Sequence, residues 1–188
     1  MEVFQMTYEE IIQFHGHECP GLAIGYKMAT AALEALESMR SEDEELVAIV
    51  ENDACGVDAL QCVTGCTFGK GNLLFRDYGK QVYTIYCRST RSGVRVHFHG
   101  KGIPEGLPDD RDEFTKWILS AANDTMLSVT PAPIPEPEPA RIHESLACAF
   151  CGESVMETRI RPLNEKPACI PCYQEQKEFE QDPHAEDG

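Results

Sequence analysis

A proline-rich segment divides this chain and limits what it can fold into. Five prolines occur in the nine residues 131–139, which read PAPIPEPEP. Because proline lacks a backbone N–H and fixes φ, such a segment cannot continue a helix or sit inside a sheet. We expect an extended linker of polyproline type over residues 131–140. The chain should therefore have a core domain over residues 1–130 and a small second domain over residues 141–188 that ends in an acidic tail.

The composition excludes several classes of function. The 188 residues include 32 acidic and 16 basic side chains, which give a net charge of −16. Nucleic acids and anionic membrane surfaces attract basic proteins, so neither is an expected partner. The N-terminus, MEVFQMTYEE, lacks the features of a secretory signal, and no apolar run reaches membrane-spanning length. We expect a cytoplasmic protein, whose nine cysteines are metal ligands, redox thiols or core residues rather than disulfides.

The core is predicted to be α+β, with a mixed or antiparallel sheet packed against helices. A capping box at Thr7 starts a short first helix, and Pro20 starts a longer second one. Asp53 is expected to cap a third helix through about Val63, and a last helix should run from about Asp110 to Met126. Runs or alternations of apolar residues predict strands at 46–50, 73–75, 81–88 and 94–99.

Two Cys-x-x-Cys pairs in the second domain predict a zinc site. Cys148 and Cys151 are separated from Cys169 and Cys172 by the 17 residues 152–168. Four thiolates with this pairing bind zinc in a closed tetrahedron, which indicates a structural ion with no open position. A knuckle, a hairpin and a helix start in this order are typical of a treble-clef or ribbon finger. A unit this small cannot bury enough apolar surface to fold alone, so the metal should supply its stability.

This segment also resembles the zinc finger of the bacterial DksA/TraR family, regulators that act on RNA polymerase. The similarity lies in Cys-x-x-Cys-Gly-Glu, at residues 148–153, and in RIRPLNEKPACIPC, at residues 159–172. It covers about 25 residues, and the long coiled coil of that family is not visible here. The resemblance implies the shape of the finger and not its partner.

A second candidate site lies in the core, at His17-Glu18-Cys19-Pro20. Pro20 at the first helical position makes Cys19 the N-cap, where backbone N–H groups and the helix dipole stabilise a thiolate. His17 can reach the same point, so the pair offers a nitrogen and a sulfur to a divalent ion, or a base beside an activated thiol. A capping histidine and a buried cysteine are the simpler interpretation of this pair alone.

A further cysteine strengthens the case for metal. Cys55 follows a predicted buried strand, at the start of the next helix. Asp58, Cys62 and Cys66 follow on one helical stripe, which Gly65 is expected to interrupt before Cys66. Cys62 is interpreted as core packing. The glycine-rich loop around Lys70 does not have the spacing of a phosphate-binding loop, although it could approach an anion.

The core motifs resemble the FmdE family, proteins similar to the FmdE component of formylmethanofuran dehydrogenase. The resemblance lies in FHGHECPGLAIGYKMA, ENDACGVDALQCVTGCTFGKGNL and FRDYGK, within residues 10–100. It implies an α+β core, a homodimer and a metal near the His-x-Cys motif, with His17, Cys19 and Cys55 as ligands and Cys66 and Asp58 as candidates. It does not imply methanogenesis, since the molybdenum or tungsten chemistry of the parent enzyme belongs to its other components.

Three functions remain open on the sequence. The first is a metal-binding accessory or redox-linked component beside oxidoreductase subunits, with zinc, nickel or iron in the core. The second is a stand-alone enzyme, in which His17, Cys19 and Cys55 leave one metal position for water and Asp58 is a general base. The third is a regulator that binds a protein partner through its finger.

Overall fold

The chain forms two compact units, Met1–Ala140 and Arg141–Gly188. The structure is a computed structural model that describes residues 6–38, 40–139 and 141–181, with side chains described as far as Lys177. The acidic tail predicted beyond residue 181 lies outside these ranges. No helix in the described ranges is both long and apolar enough to cross a bilayer.

Two helices open the first unit. Helix α1 spans Tyr8–His15 and starts with the predicted capping box, in which Thr7 Oγ1 accepts from the Glu10 N–H and Glu10 accepts from the Thr7 N–H. Helix α2 spans Pro20–Ala35, and nine of its residues are buried. Because so much of its circumference is covered, α2 is the central helix of the core.

A five-stranded mixed sheet packs against these helices. Its strands run in the order β2-β1-β3-β4-β5, and only the β1–β2 pair is parallel. This arrangement confirms the predicted α+β class. The bounds of the strands are Leu46–Val50 for β1, Leu73–Phe75 for β2, Val82–Cys87 for β3, Ser92–Phe98 for β4 and Leu127–Pro131 for β5.

Helix α3, Gly56–Thr64, starts later than predicted and without Asp53 as its cap. Asp53 is exposed, and its neighbour Asn52 organises the turn instead. The buried Asn52 accepts from the Ala54 N–H and donates to the Lys80 carbonyl at 2.6 Å. The turn therefore depends on a strand-end loop distant in sequence, which local capping rules cannot reveal.

The predicted last helix is also two helices rather than one. Helix α4 spans Arg111–Ser120, α5 spans Asn123–Met126, and the two alanines between them have extended backbone. Lys27 of α2 donates to the Ala121 carbonyl at 3.0 Å, which compensates that carbonyl for its lost helical partner. The break allows Met126 to be fully buried before β5 begins.

The proline-rich segment packs against the sheet face opposite the helices. It leaves the end of β5 through an Ala132 N–H to Gly93 carbonyl bond of 2.8 Å. Farther along, residues 134–138 line a cleft with Ile49 and Leu74. Arg88 secures this part, since it donates to Glu136 Oε1 at 3.1 Å and to the Pro137 carbonyl at 2.7 Å. Residues 132–138 therefore belong physically to the first unit.

The second unit consists of two hairpins and a helix. Strands β6, Ser145–Ala147, and β7, Ser154–Met156, form one antiparallel pair. Strands β8, Arg161–Leu163, and β9, Lys166–Ala168, form the other, and helix α6 spans Ile170–Gln181. Each Cys-x-x-Cys pair lies beside one of these hairpins, which sets the positions of the four thiols.

Candidate metal centres

Four side chains of the first unit converge at the start of α2. The ligand atoms of His15, His17, Cys19 and Cys55 all lie within 4.8 Å of one another. The first three come from one short stretch between α1 and α2, and the fourth comes from the start of α3. This group includes the predicted trio of His17, Cys19 and Cys55 and adds His15.

The chain reverses sharply to bring the first three donors together. His15 is the last residue of α1, and Gly16 ends that helix in the left-handed conformation, with φ of 94°. That region is readily open only to residues such as glycine. Cys19 is the N-cap of α2, and the Leu22 N–H donates to its Sγ at 3.4 Å. Two helix ends therefore present an imidazole and a thiol to the same space.

Close packing of α2 on α3 brings Cys55 to this point. A Cβ built on Gly25 would lie 2.2 Å from the Gly56 carbonyl oxygen, so the two backbones touch there. At Gly21, one turn earlier, a Cβ would lie 3.4 Å from Cys55 Cβ and 3.9 Å from the sulfurs of Cys19 and Cys55. The spacing Gly21-x-x-x-Gly25 is thus a packing signal that the sequence carries and that the prediction did not use.

The fourth donor, His15, is held by a carboxylate. Its Nδ1 lies 2.7 Å from Asp58 Oδ2. A carboxylate only accepts hydrogen bonds, so Nδ1 carries the proton and Nε2 keeps its lone pair. This Nε2 is buried without a hydrogen-bond partner among the described residues. A carboxylate that orients a histidine while the other ring nitrogen is free is the arrangement found behind metal-ligating histidines.

The donor set fits a transition-metal ion. In a tetrahedral zinc site, bonds of about 2.3 Å to sulfur and about 2.0 Å to nitrogen put neighbouring ligand atoms roughly 3.3–3.8 Å apart. The observed spacing, within 4.8 Å, requires small side-chain movements to reach that geometry. Burial and the neighbouring Cys19 raise the pKa of the Cys55 thiol in the absence of a cation. A divalent ion would neutralise both thiolates and satisfy the orphaned Nε2 of His15.

Cys66 was predicted as a candidate ligand, and the structure places it outside this group. Helix α3 ends at Gly65, and the chain then turns Cys66 into the core, where it is fully buried. Its backbone N–H donates to Thr64 Oγ1, and burial raises the pKa of its thiol to about 11. Cys62 is buried on α3, as its interpretation as a core residue predicts. The helical stripe continued in sequence but not in space.

The missed ligand, His15, carried a weak signal. It belongs to a His-x-His-x-Cys pattern, but as the end of an amphipathic helix it is indistinguishable from a surface histidine. Its contact with Asp58 joins residues 43 positions apart. Only the packing of α1 on α3 shows that the two side chains meet.

The second group consists of Cys148, Cys151, Cys169 and Cys172, whose sulfurs also lie within 4.8 Å of one another. Cys151 Sγ and Cys169 Sγ are 3.9 Å apart. Backbone N–H groups point at the sulfurs, including Cys169 N–H to Cys148 Sγ at 3.3 Å and Cys172 N–H to Cys169 Sγ at 3.5 Å. All four predicted cysteines of the second unit are therefore brought together.

Thiol ionisation within this group is strongly uneven. The N–H groups of Cys151 and Cys169 lower the pKa of Cys148 to about 6, whereas the neighbouring Cys169 sulfur raises the pKa of Cys172 to about 12. Four thiolates this close repel one another, so they ionise together only around a cation. This is the behaviour expected of a metal site built from four cysteines.

Comparison with known proteins agrees with this description. Residues 14–130 match the family described as "FmdE, Molybdenum formylmethanofuran dehydrogenase operon". A solved structure of an FmdE-like protein of tungsten formylmethanofuran dehydrogenase, from Syntrophus aciditrophicus, is similar. Its TM-score is 0.68, with 27% identity over 89% of this chain and 92% of that one.

A curated relative is a probable S-adenosyl-L-methionine-binding protein of Archaeoglobus fulgidus. It is 32% identical over 177 residues, which cover 79% of this chain and 48% of the relative. The chain thus spans about half the length of that protein. The family match covers well over half of the chain, including every residue of the core metal group. The chain belongs to the FmdE family.

Proposed function

We propose that this chain is a metal-binding FmdE protein that acts as an accessory or redox-linked component of an oxidoreductase system. Its core would hold zinc, nickel or iron through His15, His17, Cys19 and Cys55. Its second unit would hold a structural zinc through Cys148, Cys151, Cys169 and Cys172, in a finger of treble-clef type. The observation that carries the core site is the buried, unpartnered Nε2 of His15 with Asp58 behind it.

Each core residue has a separate task in this proposal. Asp58 fixes the tautomer and orientation of His15. Cys19 supplies a thiolate at a helix N-terminus, where the Leu22 N–H donates to its sulfur. Cys55 supplies the second thiolate from the start of α3. The bound ion would supply Lewis acidity or a redox centre, and two thiolates with two imidazoles would complete four-coordination.

Four available donors favour the accessory role over a stand-alone hydrolytic enzyme. The enzyme hypothesis needed an open metal position and a free general base at Asp58. His15 offers the fourth ligand, and Asp58 is engaged with His15. The family description and the FmdE-like structural relative support the link to an oxidoreductase system. A metal-dependent enzyme is therefore the second candidate.

We also propose that the protein is a homodimer in the cytoplasm. Exposed aromatic side chains in the first unit, among them Phe14, Phe75 and Tyr78, support a self-association surface. All nine cysteines are free thiols, which suits a reducing compartment. Sedimentation velocity should give twice the monomer mass, and a monomer at micromolar concentration would refute the dimer.

Metal counting on the full chain tests the proposed function. We expect two ions per wild-type chain and one per Cys55→Ser chain, because the core loses a thiolate while the finger keeps its four. Cys62→Ser is the matched control, since Cys62 is also a thiol of α3 but lies outside the group, and it should retain two ions. Cys66→Ser should do the same. A wild-type chain that purifies with one ion and takes up no second would overturn the core site.

A further inference from the structure

We propose that His17 is the exchangeable ligand of the core centre, and that its departure opens one metal position to a neutral ligand. This inference rests on the proposed function, because it requires an ion in the core group. The other three donors then form a fixed tripod of one imidazole and two thiolates. The site is closed at rest and opens without any movement of the fold.

The three tripod residues are each held by the surrounding structure. His15 is bonded to Asp58, and its side chain is 11% exposed. Cys19 is 4% exposed and is fixed as the N-cap of α2 by the Leu22 N–H. Cys55 is partly buried where α3 meets Gly21, with only van der Waals space between them. None of these sulfur or nitrogen atoms can leave without disturbing a helix end.

His17 lacks this support. It is exposed, and its ring nitrogens make no hydrogen bond to any described residue. Its ring lies against that of His15, with 4.6 Å between the centroids. It belongs to the short loop between α1 and α2, not to either helix. Rotation of this imidazole into solvent costs the metal bond alone, so His17 should exchange while the tripod stays in place.

The local charge determines which ligand can replace it. Two thiolates already neutralise a divalent ion, and the carboxylate of Asp58 lies directly behind His15. Glu18 follows His17 in the chain and is exposed at the same loop. An incoming anion would meet this negative charge in a partly dry site, where charge repulsion is stronger than in water. A neutral nitrogen or thioether donor carries no such penalty.

Cobalt-substituted full-length protein provides the test, because the visible absorption of Co(II) reports the ligands around it. His17→Ala should keep the core ion, with affinity reduced by less than about tenfold, the lower limit of what an outer-shell partner contributes. Its spectrum should change, added imidazole should restore it, and azide should not. His15→Ala should weaken core binding by more than about 100-fold. His97→Ala, an imidazole on β4 outside the group, is the control and should match wild type.

The outcomes separate this inference from the proposed function. Loss of the core ion from His17→Ala as complete as from His15→Ala would overturn the exchangeable role while leaving the metal site intact. An unchanged Co(II) spectrum in His17→Ala would show that His17 is not a ligand and would also overturn it. Azide binding as tight as imidazole binding would refute the neutral-ligand preference. A wild-type core that takes up no cobalt would overturn both proposals.

Discussion

Gly25→Ala should destabilise the core and release its metal, although alanine is the better helix former. Gly25 lies inside α2 at the crossing with α3. An added Cβ would lie 2.2 Å from the Gly56 carbonyl oxygen, 2.3 Å from its Cα and 2.6 Å from its carbonyl carbon. All three are backbone atoms, so no side chain can rotate away. The helices must separate by at least 0.8 Å to restore the 3.0 Å below which Cβ contacts essentially never occur.

The expected change in the free energy of unfolding combines two opposing effects. Replacing a mid-helix glycine by alanine gains roughly 0.5–1 kcal/mol. Overpacking of this kind costs about 1–3 kcal/mol, and a backbone clash belongs at the upper end. The net loss should be about 2 kcal/mol. A displacement of 0.8 Å also exceeds the roughly 0.2 Å tolerance of metal–ligand distances, so Cys55 and Cys19 should no longer share one ion.

Urea unfolding followed by tryptophan fluorescence measures this effect on the first unit, since Trp117 is the single tryptophan and lies in α4. Gly21→Ala is the matched control in the same helix, because its Cβ would meet Cys55 Cβ at an ordinary 3.4 Å. That variant should stay within about 0.5 kcal/mol of wild type and keep both ions. Equal urea midpoints for Gly25→Ala and wild type would refute the packing argument.

Four further predictions follow from individual contacts. Asp58→Asn should weaken core metal binding by about 10–100-fold in a competition with a chromophoric chelator, because it removes the carboxylate behind a ligand; unchanged affinity would contradict that role. Chelation should increase hydrogen exchange first across residues 141–181, since that small unit depends on its ion, and equally fast exchange in the first unit would argue against it. Arg88→Ala should speed proteolysis within the proline-rich segment, because the backbone and carboxylate acceptors lose their donor; an unchanged cleavage rate would show that packing alone holds the segment. The Ser41 hydroxyl lowers the pKa of Glu45, so this contact should stabilise the fold at neutral pH and lose its effect as the pH falls below the ordinary carboxyl range of about 4; Ser41→Ala should remove that part of the pH dependence from the melting temperature.

Local patterns were sufficient for much of this fold. The capping box at Thr7, the proline at the start of α2 and the alternating strands are rules about neighbours in sequence, and the structure follows them. The two Cys-x-x-Cys pairs are local in the same sense, because a gap of two residues brings both sulfurs of a pair to one ion. Such features need no knowledge of distant contacts.

The errors lie where a distant residue replaces a local partner. Lys27 compensates the broken end of α4, and a loop carbonyl at Lys80 positions the turn expected to depend on Asp53. Strand β5 was missed because it begins directly after α5, in a segment expected to be helix and linker. In each case the tertiary partner overrode a local preference of similar size.

For the core metal group, the order of residues specifies the kinds of donor and puts three of them at or near helix starts. Which donors meet depends on how the helices pack, since that packing brought in His15 through Asp58 and left Cys66 in the core. The cause is the crossing of α2 and α3 at bare glycine backbones, because the separation of Cys19 from Cys55 is a property of two packed helices and of neither one alone.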